Sequence, residues 1–157
     1  IVAQGPGNLG TGTRWGFGSI AVADALHAAA AMGARAICAP RVSEADPRSR
    51  HVGLSHHSRT VLERMLFAGV ELPSLSPSER SDIDREIAES YAHINSVRSA
   101  HGVPAHRITA TSSEGLEKAV RALPIRVSTM GRGLEEDRAS FLYSALAGRL
   151  AAEVPTV

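Results

Sequence analysis

Three glycine-containing segments hold most of the residues in this chain whose types and spacing could do chemistry. The first is Gly5-Pro6-Gly7-Asn8-Leu9-Gly10-Thr11-Gly12-Thr13-Arg14. Glycines let the backbone take positive φ and approach a ligand closely. Exposed amides ahead of a helix form an anion site, to which Thr11, Thr13 and Arg14 add donors. Gly7, Asn8, Gly10, Thr11, Gly12, Thr13 and Arg14 are therefore candidate ligand-binding residues. Gly5, Gly7 and Gly10 match the bare G-x-G-x-x-G spacing. The proline at the first x, the long continuation and the Pro40-Arg41 pair where an acid should end the second strand all argue against a dinucleotide fingerprint. The loop is not a Walker A motif either, since no Gly-Lys-Ser/Thr follows.

The second segment is Asp46-Pro47-Arg48-Ser49-Arg50-His51-Val52-Gly53-Leu54-Ser55-His56-His57-Ser58. Histidine transfers protons near neutrality and donates to anions, so His56 and His57 are the candidate catalytic residues. Ser55 reads as the cap of the helix that follows. Asp46, His51 and His57 form an alternative divalent-metal set. Adjacent side chains at a helix start project about 100° apart, which disfavours His56 and His57 on one ion. No H-E-x-x-H or H-x-H pattern is present, so no metal is favoured and the cofactor stays open. The third segment, Ser128-Thr129-Met130-Gly131-Arg132-Gly133-Leu134-Glu135-Glu136-Asp137, offers Thr129 and Arg132 as ligand-binding residues. Its three acids fit the first turn of a helix, where negative charge suits the macrodipole. His27, His93, His101 and His106 have no partner in sequence and read as structural or solvated.

The elements that must position these segments alternate. Ile1–Gln4 reads as a strand, Gly5–Gly18 as a loop, Phe17–Met32 as a helix stopped by Gly33, and Arg35–Val42 as a second strand. Together they make a βαβ unit. His56–Leu66 reads as a helix and Phe67–Leu75 as a region with a short strand. Ser76-Pro77-Ser78-Glu79 supplies a capping box for a helix of about 20 residues reaching His101, with an apolar stripe of Ile83, Ile87, Tyr91 and Ile94. Arg107–Thr111 alternates as a strand, Thr111 and Glu114 cap a helix to Leu123, Ile125–Met130 reads as another strand, and Leu134–Ala152 as the last helix. The fold expected is α/β, a three-layer, Rossmann-like arrangement with a mainly parallel sheet of four or five strands. The three motif loops would then converge at its carboxyl edge.

The chain has 157 residues, 43% of them hydrophobic, which fits a single domain with a real core. Its formal net charge of +1 and 4% aromatics give no reason to expect nucleic acid or an anionic membrane as partner. Lys118 is the only lysine, so arginine is the default anion partner. Cys38 stands alone in an apolar run, which excludes an intrachain disulfide and reads as a buried thiol. No apolar run of about 18 residues or more suggests a membrane span. These features imply a cytoplasmic protein. The opening Ile1-Val2-Ala3-Gln4 has no initiator methionine, so a fragment of a longer chain is expected.

Taken in order, Gly5–Thr13, Ala45–Arg48 through Ser55–His57, and Ser128–Leu134 resemble a bacterial family of unknown function found mostly in high-GC Gram-positive organisms. The resemblance spans nearly the whole chain. It implies a cytosolic protein and a chain corresponding to the C-terminal half of longer members, and it brings no activity with it. The leading reading is a small-molecule enzyme or binding domain for a phosphate or carboxylate. In it the first loop and Arg132 hold the anion, and His56 or His57 moves protons. The alternatives are a divalent-metal-dependent hydrolase on Asp46, His51 and His57, and a non-catalytic assembly domain forming a homo-oligomer through the long helix Ser76–His101.

Overall fold

The computed structural model describes residues 1–3 and 9–153. A 3₁₀ turn, Gly18–Ala21, leads into α1, Val22–Ala31, an alanine-rich helix that buries Ala23 and Leu26. Gly33 ends it at φ 67°, a left-handed value that favours glycine. A two-residue strand β1, Val42–Ser43, pairs antiparallel with β2, Gly53–Leu54. Directly after β2 comes α2, His56–Thr60, continued by a π-helical turn, Val61–Met65. Strand β3, Glu71–Leu75, pairs in parallel with β4, Arg107–Thr111, and α3, Asp82–Ala100, lies between them in sequence. The short α4, Leu116–Arg121, and the closing α5, Arg138–Ala152, complete the chain.

The core forms around β3, whose five residues are all buried. Leu72, Ile87, Tyr91, Ile94, Leu62 and Tyr143 make its main cluster, and Leu75, Leu116, Leu142 and Leu146 a second. The apolar stripe of α3 is therefore spent inside this chain. Arg98, on the same helix, is 1% exposed and has no carboxylate partner among the described residues. Its guanidinium instead donates to the carbonyls of Leu62, Leu66, Ala68 and Pro104. These include carbonyls at the end of the π turn that would otherwise lack partners. His106 donates from Nε2 to the Leu62 carbonyl and accepts the Val70 amide at Nδ1. Buried polar groups of this kind hold a helix end in place only because every donor finds an acceptor.

The fold is α/β, but it lacks the four- or five-stranded Rossmann-like parallel sheet expected from the sequence. Among the described residues two sheets of two strands each are formed, one antiparallel and one parallel. Ile1–Ala3 is exposed and unpaired, and Gln4 lies outside the described residues. The Arg35–Val42 run makes only a single parallel bridge, Ile37 to Glu71. Pro40, which has no amide hydrogen, follows soon after, and the chain then turns to pair with β2 instead. Ile125–Met130 stays at the surface, where its one bridge joins Thr129 to Arg132.

Two caps also shift. Ser76–Glu79 builds only a 3₁₀ turn, because the Glu79 carboxylate accepts the Ser112 hydroxyl and the Ser113 amide. The long helix starts at Asp82, where Asp84 accepts the amide and hydroxyl of Ser81. The last helix starts at Arg138, with Leu134–Asp137 forming the turn before it. Among the described residues no helix is long and apolar enough to cross a membrane.

Candidate functional site

The site is built on the loop between β1 and β2. Ser43 Oγ accepts the Asp46 amide at 3.0 Å and donates to Asp137 Oδ2 at 2.6 Å, which folds the loop inward. Asp46 then collects arginines. Its Oδ1 accepts the Arg48 amide and Nε, and its Oδ2 accepts Arg48 Nη2 and Arg41 Nη2 at 2.8–2.9 Å. Arg132 Nη2 stands 3.6 Å away. The Arg48 hydrogen bonds hold the Asp46 carboxyl far below the usual carboxylate range, against the effect of burial. A 3₁₀ turn, Ser49–His51, swings His51 into the interior at 1% exposure.

Ser55 caps α2 by accepting the His57 amide, and the same oxygen lies 2.7 Å from His51 Nδ1. One hydroxyl thus ties His51 to the start of the helix that carries His56 and His57. The His56 and His57 rings are 4.1 Å apart between centroids and inclined by 48°, and each is 5.0 Å from the His51 ring. One ring nitrogen from each of His51, His56 and His57 lies within 4.8 Å of the other two. Among the described residues this is the grouping of His, Cys, Asp or Glu side chains close enough to share an ion. Among the described residues His56 Nε2 and His57 Nδ1 are buried with no hydrogen-bond partner. Burial, reinforced by Arg41 and Arg48, pushes His51 from the ordinary 6.5 down to about 4. Burial, then His56, Arg41 and Arg50, pushes His57 to about 4, and burial and Arg50 lower His56. All three rings are therefore neutral at pH 7, with lone pairs available.

The first loop closes over this cluster. Phe17 stacks on His57 with centroids 4.3 Å apart and planes 10° from parallel. Gly10 bridges to Phe17, and a Cβ there would touch His57 Cε1 at 3.4 Å. Thr11 and Thr13 are exposed and bond each other at 2.9 Å and the Gly16 backbone, so their hydroxyls serve the loop's own shape. Gly12 faces open space at φ 80°. Arg14 is exposed on the same loop and lines a cavity of about 230 Å³ with His56, Arg59, Thr60, Glu63 and Arg64. Gly7 and Asn8 lie outside the described residues.

The third segment reaches the site from beneath. Thr129 and Arg132 exchange backbone hydrogen bonds around a tight turn in which Met130 takes φ 50° and Gly131 φ 82°. Arg132 is thereby aimed between Asp46 and Asp137, donating from Nε to Asp137 Oδ2 at 3.1 Å. Its charge is balanced internally by these two carboxylates. Asp137, fully buried, is bound also by Ser43 and the Glu44 amide. Burial works against its charge, and the Ser43, Glu44 and Arg132 hydrogen bonds outweigh it and keep its carboxyl below the usual range.

Residues 1–148 match the family described as "Protein of unknown function (DUF3866)". The chain belongs to that family. The expectation of a family of unknown function over nearly the whole chain is met at that level. No curated protein and no solved structure matches the chain.

In this DUF3866 chain all three segments meet around the Asp46 turn and the histidines, although no common sheet edge carries them. Asp46 is committed to arginines, and His56 stands beside His51 and His57. Sequence reasoning missed Phe17, Arg41, Arg59 and Arg64. Arg59 had a usable signal, three residues after His56 and so on the same helical face. Nothing in sequence marked Phe17 as the ring that covers His57.

Proposed function

We propose that this chain carries a divalent-metal centre held by His51, His56 and His57 and serves metal-assisted hydrolysis of a small molecule. The observation that carries the reading is the convergence of three neutral imidazoles, two of them with buried nitrogens lacking partners. A buried polar atom without a partner is costly, and a shared cation relieves both atoms at once. Ser55 accepting His51 Nδ1–H would leave Nε2 free, so the ligand set is His51 Nε2, His56 Nε2 and His57 Nδ1. Zinc suits three imidazoles, and one ring nitrogen of each already lies within 4.8 Å of the other two. Three protein ligands leave a fourth position for water, whose pKa a zinc ion lowers to about 7. Held by His51, His56 and His57, a zinc ion would supply an activated water for hydrolysis at a carbonyl carbon or phosphorus.

Proton transfer by His56 or His57 to a bound anion without metal is the weaker reading. A general acid or base works best when it titrates near the operating pH, and burial holds His57 at about 4. Asp46 is a poor ligand in place of His56, because leaving its arginines would strip a buried carboxylate of its partners.

Zinc titration into metal-stripped protein by calorimetry tests the proposal. One ion per chain is expected, with affinity falling about tenfold or more in His56→Ala and in His57→Ala. Absence of stoichiometric binding, or unchanged affinity in both folded variants, would overturn it.

A further inference from the structure

We infer that the substrate of this centre carries a dianionic phosphate group, and that the cavity lined by Arg14, Arg59 and Arg64 holds it. The inference rests on the metal-centre reading and deepens it. His56 belongs both to the histidine cluster and to the cavity wall, so a group bound in the cavity sits one side chain from the ion. At about 230 Å³ the space falls below the range of roughly 300–1,000 Å³ usual for whole drug-sized ligands, and suits a compact headgroup.

The charge count selects the headgroup. Three guanidinium groups face one carboxylate, Glu63, which Arg64 binds at 2.6 Å. Two positive charges are left over, the match for a phosphate dianion and one more than a carboxylate neutralises. Arg59 is oriented by a 2.9 Å bond from Nη2 to Ser90 Oγ. The Thr60 hydroxyl is spent on the His56 carbonyl, so the arginines supply the donors. Arg14 has no hydrogen bond or ion pair among the described residues. It stands on the loop that Phe17 and Gly10 fasten over His57. Arg50, outside the cavity, adds to the positive field at His56.

The test is calorimetric titration of inorganic phosphate, and separately of acetate, into the zinc-loaded chain at fixed ionic strength. Phosphate is expected to bind one per chain and at least about tenfold more tightly than acetate. Arg14→Ala should weaken phosphate by about tenfold or more while leaving zinc affinity unchanged. Arg14 is exposed and makes no internal bond, so this variant should fold as the parent does, and its thermal unfolding is the control. Zinc binding without phosphate binding overturns this inference and leaves the metal centre standing. So does phosphate binding that is indifferent to Arg14→Ala or no tighter than acetate. Failure of zinc to bind overturns the metal centre, and this inference with it.

Discussion

His51, His56 and His57 come from one short stretch of chain, and two local devices bring them to the cluster. A 3₁₀ turn delivers His51, and the first turn of α2 delivers the other two. Ser55 fixes the arrangement by meeting both His51 Nδ1 and the His57 amide. A hydroxyl that orients a metal-binding imidazole typically accounts for 10–100-fold in affinity. Ser55→Ala should therefore raise the zinc dissociation constant by about tenfold, with a loss of about 1 kcal/mol from the missing helix cap. Zinc titration and urea unfolding read the two effects separately, and a variant that lost stability alone would deny Ser55 its positioning role. The chemistry-bearing residue types were legible in the sequence. Their pairing was not, because helical geometry alone sends adjacent side chains apart. Tilting of the two rings to 48°, with His51 inserted beside them, is a tertiary event.

At the scale of elements, the π turn Val61–Met65 is the joint between the histidines and the core. The Leu62 carbonyl within it accepts from Arg98 and His106, and the Leu66 carbonyl that follows accepts from Arg98. Arg98→Met would take the guanidinium donor from the carbonyls of Leu66, Ala68 and Pro104, leaving Leu62 with His106 alone. The expected cost is about 3–5 kcal/mol by urea unfolding, with Arg98→Lys restoring little, because an ammonium cannot reproduce the planar fork. A loss under about 1 kcal/mol in the methionine variant would show that the fork is not what holds this helix end. Elements with strong local signals, α1, β4 and most of α3 and α5, were legible from their patterns, while β3 was placed only within Phe67–Leu75. The start of α3 was misplaced because Ser76–Glu79 and Ser81–Asp84 both offer a cap. The distant Ser112–Ser113 pair, which draws Glu79 away, decides between them.

At the scale of the molecule, the sheet was the least legible feature. The apolar runs at 35–42 and 125–130 look like strands one by one, but a strand needs a neighbour, and neither run finds a full ladder. The network of buried neutral histidines also gives the whole fold a pH dependence. His106 is 4% exposed and held by burial at about 4, against 6.5 in the unfolded chain. Between those values the unfolded state binds the extra proton. Stability is therefore full above about pH 6.5 and is lost as pH falls toward 4, by up to about 3 kcal/mol from this residue. Urea unfolding of the zinc-free protein at several pH values should show this decline. It should be shallower in His106→Gln, which cannot titrate, and an equal slope in both proteins would contradict the assignment.

The proposed metal centre is tested most directly by X-ray absorption at the zinc edge on protein loaded with one equivalent of zinc. The proposal predicts three imidazole nitrogens around the ion at about 2.0 Å, reduced to two in His56→Ala. A shell of water and carboxylate oxygens, or one unchanged by His56→Ala, would contradict a centre built on His51, His56 and His57.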